Sequence, residues 1–93
     1  MSYSVDCAPP ADETLAQLPP LVARGVLDGT DWLAQDPLGL GKPSHFPYRP
    51  GRQMYQFWIE AEGTRWWITV FFRYGQDEER IVILDIAAEA MTP

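Results

Sequence analysis

Residues 53–74 read QMYQFWIEAEGTRWWITVFFRY, and the period at which their apolar side chains return decides the fold. On each side of Glu62-Gly63 the bulky residues recur at every second position. That is the spacing of a strand with one face turned to a core. A short connection containing glycine joins two such strands into a hairpin, so strands are expected over residues 53–61 and 64–74. GQDEE, residues 75–79, is a second turn, and RIVILDIA, residues 80–87, a third strand. The C-terminal half is therefore expected to be an antiparallel meander. Period two places Tyr55, Phe57, Ile59, Trp66, Ile68, Val70 and Phe72 on one face, continued by Val82, Leu84 and Ile86. The other face receives Gln56, Trp58, Arg65, Trp67, Thr69, Phe71, Arg73 and Asp85.

Working back towards the N-terminus, the pattern changes to helices. Residues 3–7, YSVDC, alternate as a short strand with Tyr3, Val5 and Cys7 on one face, and Pro9 and Pro10 end it. Residues 11–18 form a short helix with Asp12 and Glu13 in its first turn, where negative charge is favoured, and Pro19 stops it. Pro20 suits the first position of a second helix, which Leu21, Val22, Gly25, Val26, Trp32 and Leu33 carry to about Gln35, with Gly25 and Gly29 weakening it. Residues 36–52, DPLGLGKPSHFPYRPGR, read as a long loop because proline and glycine interrupt every pattern. The order β-α-α-β-β-β gives one α+β domain over residues 1–93, with both helices on one face of a sheet. The face the helices leave open carries Trp58, Trp67 and Phe71. An exposed apolar patch of this kind marks a binding site, and it predicts self-association of the free protein.

Composition narrows the function classes. Hydrophobic residues make up 46% of the 93 residues and aromatics 13%, enough to offset the entropy of ordering, so a disordered chain is excluded. The apolar runs fall short of the ~20 residues of a membrane span, and the first residues lack both parts of a secretory signal, which together predict a cytoplasmic protein. Cys7 is the sole cysteine, so an internal disulfide and a multi-cysteine zinc site are excluded, and it reads as a strand residue rather than a nucleophile. No cofactor or metal is expected. The net charge of −6 argues against general nucleic-acid binding, yet residues 42–73 hold Lys42, Arg49, Arg52, Arg65 and Arg73 against Glu60 and Glu62 alone.

The segment YSVDCAPPADETLAQLPPLVARGVLDGTDWLAQDPLGLG, residues 3–41, resembles the start of the RelE/ParE superfamily of bacterial toxins. The shared landmarks are an opening strand, a helix start with proline, a Leu-x-x-Leu-Pro step at residues 15–19 and a second helix ending in Asp36-Pro37. The later turn with Gly63, followed by Arg65 opening an apolar strand, looks like the family's Gly-aromatic-Arg-hydrophobic pattern. The resemblance implies a four-stranded, mainly antiparallel twisted sheet carrying two N-terminal helices, and a cognate antitoxin that covers the chain. It also implies one of two activities: cleavage of mRNA in the ribosome, or inhibition of DNA gyrase without cleavage.

Carried over residue by residue, Arg65 matches the arginine that stabilises phosphate charge in the ribonuclease branch. The lysines of that branch fall at Gln56 and Trp58, and the residues expected after its last strand fall at Ile86, Ala87, Ala88 and Glu89. In-line attack of a ribose hydroxyl needs a base, an acid and charge stabilisation. Arg65 and Arg73 would supply the last, and His45 and Tyr74 are the side chains available for proton transfer. Arg49, Arg52 and Lys42 would hold RNA. The competing reading pairs Arg65 and Arg73 with Asp85, Glu60 or Glu62 across the sheet and makes Trp58, Trp67 and Phe71 the floor on which a partner protein lies. A non-enzymatic binding module, either a gyrase-type inhibitor or an inactive toxin homologue, is the alternative to the nuclease.

Overall fold

The computed structural model describes residues 2–43, 51–76 and 79–91. In chain order it contains β1 (Ser4–Cys7), α1 (Pro9–Gln17), α2 (Pro20–Gln35), α3 (Pro37–Leu40), β2 (Lys42–Pro43), β3 (Gln53–Ala61), β4 (Thr64–Tyr74) and β5 (Arg80–Met91). The α+β class and the helices followed by a meander agree with the reading of the sequence. α1 begins at Pro9 rather than at residue 11, since prolines in a first turn give up no hydrogen bond: the first N–H groups of a helix have no partner inside it.

The sheet has five strands in the order β1-β5-β4-β3-β2, one more than expected. The extra strand lies in the stretch read as loop. Asp36 accepts the Gly39 N–H at 3.0 Å, and Pro37 pre-sets the first helical position, so a single turn of helix forms there. The chain then runs along the outer edge of β3, pairing Lys42 with Met54 and Pro43 with Gln53. Two residues are too few for any periodic signal. At the opposite edge β1 runs parallel to β5, from Ser4 beside Arg80 to Cys7 beside Ile83.

The β3–β4 hairpin turns at Glu62 and Gly63, with φ of 51° and 77°. Positive φ at both central positions is the two-residue turn whose twist matches that of the strands it joins. Between β4 and β5 the register shifts: Phe71 faces Asp85 but Phe72 faces Ile83, so Leu84 is an extra residue on β5. This bulge corrects the expected core. Ile81, Ile83 and Ile86 are buried, whereas Val82 and Leu84 are not in the buried core. One inserted residue reverses the alternation, so period two cannot be continued across it. β5 also runs to Met91, four residues beyond the expected end, pairing Ala88 with Ile68 and Glu89 with Trp67.

The core lies between the helices and one face of the sheet, where Val22, Val26 and Leu33 of α2 meet Ile68, Val70, Phe72, Ile81 and Ile83. Burial of a side chain such as Phe72 stabilises by about 1.5–3 kcal/mol. Gly25 and Gly29 set how closely α2 approaches β3. A methyl added at Gly29 would overlap the Phe57 ring, and one at Gly25 would lie 2.8 Å from Ile59. These glycines cost helix propensity, as the sequence suggests, but they let α2 lie directly on the sheet. Gly29→Ala should therefore destabilise the fold by about 1–3 kcal/mol in chemical denaturation, because the aromatic ring must leave its place. Adding Phe57→Leu to Gly29→Ala should recover part of that loss.

Candidate functional site: the open face of the sheet

Both helices pack on one face of the sheet, which leaves the side chains of the other face to solvent. Residues 54, 56 and 58 of β3, with 65, 67, 69, 71 and 73 of β4, point there, because alternate residues of a strand share a face. Trp58 and Trp67 are directly opposed in the register, with ring centroids 4.5 Å apart and planes tilted by 50°. Trp58 remains 46% exposed despite this contact. The Arg65 guanidinium lies over the Trp58 ring, 4.6 Å from its centroid. Its Nε is 3.9 Å from Glu60 Oε1, a loose pair between side chains 58% and 79% exposed.

One rung further along, Gln56 Nε2 donates to Thr69 Oγ1 at 3.1 Å, and Thr69 is buried. Beyond it, the Arg52 guanidinium lies 4.5 Å from the Phe71 ring centroid. Arg52 Nε is buried and has no hydrogen-bond partner among the described residues. Arg73 is exposed, and its Nη1 donates to the Tyr74 carbonyl at 3.3 Å. The open face thus has two arginine–aromatic clusters, Arg65–Trp58–Trp67 near the hairpin and Arg52–Phe71 beside Arg73.

The two clusters cannot share one ligand atom. Arg65 and Arg73 are eight residues apart on β4, about 27 Å at ~3.4 Å per residue. No single phosphate is reached by both. Carboxylates also interleave with the cations. Glu60 pairs with Arg65, Asp85 faces Phe71, and Glu89 faces Trp67. Against Lys42, Arg52, Arg65 and Arg73 they leave the described part of this face with an excess of a single positive charge, unlike a surface built for phosphate backbones.

Of the residues singled out for proton transfer, His45 lies outside the described residues, as does Arg49 among those expected to hold RNA. Tyr74 lies on the core side of β4, its ring 6.0 Å from Phe72 and 6.2 Å from Tyr3. Burial foremost, then Tyr3 and the Asp36 carboxylate, raise its pKa above the ordinary phenol value, so it keeps its proton near neutrality. Lys42 sits on β2 at the sheet edge, beside Met54. Among the described residues no group of three or more His, Cys, Asp or Glu side chains comes together to hold a metal ion. Glu89 was missed because β5 was expected to stop before it. The stacking of Arg52 on Phe71 carried a sequence signal, since residues 52, 54, 56 and 58 continue a single period of two.

No protein-family model and no curated protein matches the chain. A solved structure does. The chain superposes on one from the crystal structure of the toxin–antitoxin complex RelBE2 from Mycobacterium tuberculosis with a TM-score of 0.70, covering 96% of this chain and 100% of that one at 24% identity. The fold is RelE-like. At this identity the likeness is one of architecture. No helix among the described residues is long and apolar enough to cross a membrane.

Cys7 belongs to the packing rather than to the site, since it is half-buried against the core from β1. Burial first, then the Asp12 and Asp6 carboxylates, raise its pKa above the ordinary thiol value. Its alkylation by iodoacetamide at pH 8 should be slower than that of a free thiol and should accelerate on unfolding in urea. Because the folded thiol holds its proton more tightly than the unfolded one, its stabilising contribution is present below the unfolded pKa. That contribution is lost as pH rises through the unfolded value towards the folded one. Arg65→Ala should change stability by less than about 1 kcal/mol, since both its ion pair and its ring contact are solvent-exposed.

Proposed function

We propose that this chain is the toxin-like member of a two-component toxin–antitoxin pair, acting in the cytoplasm and held by an antitoxin that covers the Trp58–Trp67–Phe71 face. The observation that carries this reading is the Trp58–Trp67 stack under Arg65, with Trp58 exposed and Trp67 half-buried on the sheet face without a helix. Aromatic and arginine side chains at the centre of an apolar patch are those that dominate protein–protein binding energy. The RelE-like fold, found in a toxin–antitoxin complex, supports the same assignment. Without its antitoxin, the chain would self-associate through these aromatics.

Between the two modes of action, binding of a protein target such as DNA gyrase fits better than cleavage of mRNA on the ribosome. The face is close to neutral, its arginines divide into two distant clusters, and Tyr74 is on the other side of the sheet. The ribonuclease reading retains one observation in its favour: Arg65 is exposed on the open face, where it could stabilise the charge of an attacked phosphate. In that reading Arg73, Arg52, Arg49 and Lys42 hold the RNA, and His45 is the candidate for proton transfer.

Expression of the chain alone from a tightly controlled promoter in a bacterial host separates these outcomes. Growth arrest without new 5′ ends on a reporter mRNA is the expected result. Codon-phased ends that disappear in Arg65→Ala would instead establish the ribonuclease. Unimpaired growth with soluble, folded protein present would exclude the toxin role.

A further inference from the structure

The outer edge of β3 is only partly covered. β2 pairs with Met54 and Gln53 and goes no further among the described residues. Pro43 has no N–H, so the pair that exchanges hydrogen bonds is Lys42 with Met54. Outward-pointing backbone groups recur at every second residue of a strand, which directs the N–H and C=O of Gln56, Trp58 and Glu60 to this same edge. The turn formed by Gly39 and Leu40 lies near Tyr55 and Gln56. At Trp58 and Glu60 no described strand pairs with the edge.

An apolar overhang lies above this open stretch. Leu21 and Trp32 are eleven residues apart on α2, which at 3.6 residues per turn returns to almost the same angle. That flank is next to the one bearing Gly25 and Gly29, which touch Ile59 and Phe57 of β3, so Leu21 and Trp32 project past the edge of the sheet. They are 54% and 63% exposed, large values for side chains of this size. Leu21 also lines a cleft of about 330 Å3 with Ala61, Thr64 and Trp66 at the hairpin end of the same edge. Sheet edges left unpaired are usually blunted by charged side chains, proline or a bulge, and residues 57–61 of β3 contain no proline and no bulge, Glu60 being their one charge.

The charges beside the edge are negative. Asp28 shares the flank of Leu21 and Trp32, Glu60 is on the open strand, and Glu62 is in the turn. Neither Asp28 nor Glu62 has a cation within 4.0 Å among the described residues, and Glu60 has only its loose pair with Arg65. Arg65 shares with Glu60 the face of the sheet away from α2 and stacks there on Trp58, so Asp28 and Glu62 are the carboxylates this edge offers to a cation. The whole chain, at −6, adds a long-range attraction for a basic partner.

We propose that the outer edge of β3 is a docking site for an extended, basic segment of a partner chain. The segment pairs its backbone with Trp58 and Glu60, lays alternate apolar side chains against Leu21 and Trp32, and brings cations to Asp28 and Glu62. Backbone pairing supplies affinity and register, the apolar flank and the carboxylates supply selectivity. This surface is distinct from the open face, and the segment binds it whether or not the chain is a toxin.

The test is an NMR titration of the full chain at low salt with a short capped peptide of alternating Val and Lys. Two control peptides accompany it, one with Glu in place of Lys and one methylated on alternate backbone nitrogens. Saturable binding is expected, with the Trp58 and Glu60 amides protected from exchange. Binding should weaken by about ten-fold or more for the Glu peptide, reflecting charge complementarity, and by a similar factor in Trp32→Ala. The peptide methylated on its pairing nitrogens should not bind. Glu60→Pro, which removes an outward N–H while leaving the β3–β4 ladder intact, should reproduce that loss in the protein. Absence of binding to the folded chain, equal binding of the Val–Glu peptide, or binding that leaves the Trp58 and Glu60 amides unprotected would overturn the proposal. Growth arrest reports on the toxin reading alone, so the two fail separately.

Discussion

The contact of α2 with β3 determines what the rest of the molecule can present. Gly25 and Gly29 bring the helix down onto Ile59 and Phe57, and this close approach fixes which face of the sheet is core. With Val22, Val26 and Leu33 filling the space above β4 and β5, the helical layer is committed to that face. The other face is left to solvent, and every second residue of β3 and β4 becomes available for binding. The same contact aims the flank of α2 past the sheet edge, so the apolar overhang and the open face have one geometric origin.

The open face derives its character from cross-strand pairing. The register between β3 and β4 opposes two tryptophans directly, and Arg52 and Arg65, in separate clusters, each lie over an aromatic ring. A stacked guanidinium keeps its N–H edge free for a ligand while its apolar plane is covered, which suits recognition by shape and charge together. Extension of β5 to Met91 brings Glu89 beside Trp67, and the bulge at Leu84 sets Asp85 beside Phe71. Those two carboxylates turn a strip of arginines into a balanced surface. A balanced surface with an aromatic centre suits a protein partner better than a polyphosphate chain.

Much of this was legible in advance. Alternation over residues 53–74 was sufficient for the hairpin and for the division into core and open faces, and Trp58, Trp67, Arg65 and Arg73 lie on the face expected of them. The Leu-Pro and Asp-Pro landmarks pointed to a RelE-like architecture that the RelBE2 structure shares. The losses occurred where periodicity was broken or too short to register. Leu84 reversed the alternation of β5, which put Ile81 and Ile83 in the core in place of Val82 and Leu84. β2 is two residues long and ends on a proline, so it carried no pattern.

By itself the sequence determined the class of each long element and the face of each residue within it. Both follow from local periods and from proline positions, which act over a few neighbouring residues. Tertiary structure alone decided what stands across from what. The Trp58–Trp67 stack, the position of Arg52 over Phe71, the bulge, and the pairing of β1 with β5 all depend on register between strands distant in the chain. Register is set by how whole faces fit together, and no short stretch of sequence contains that information.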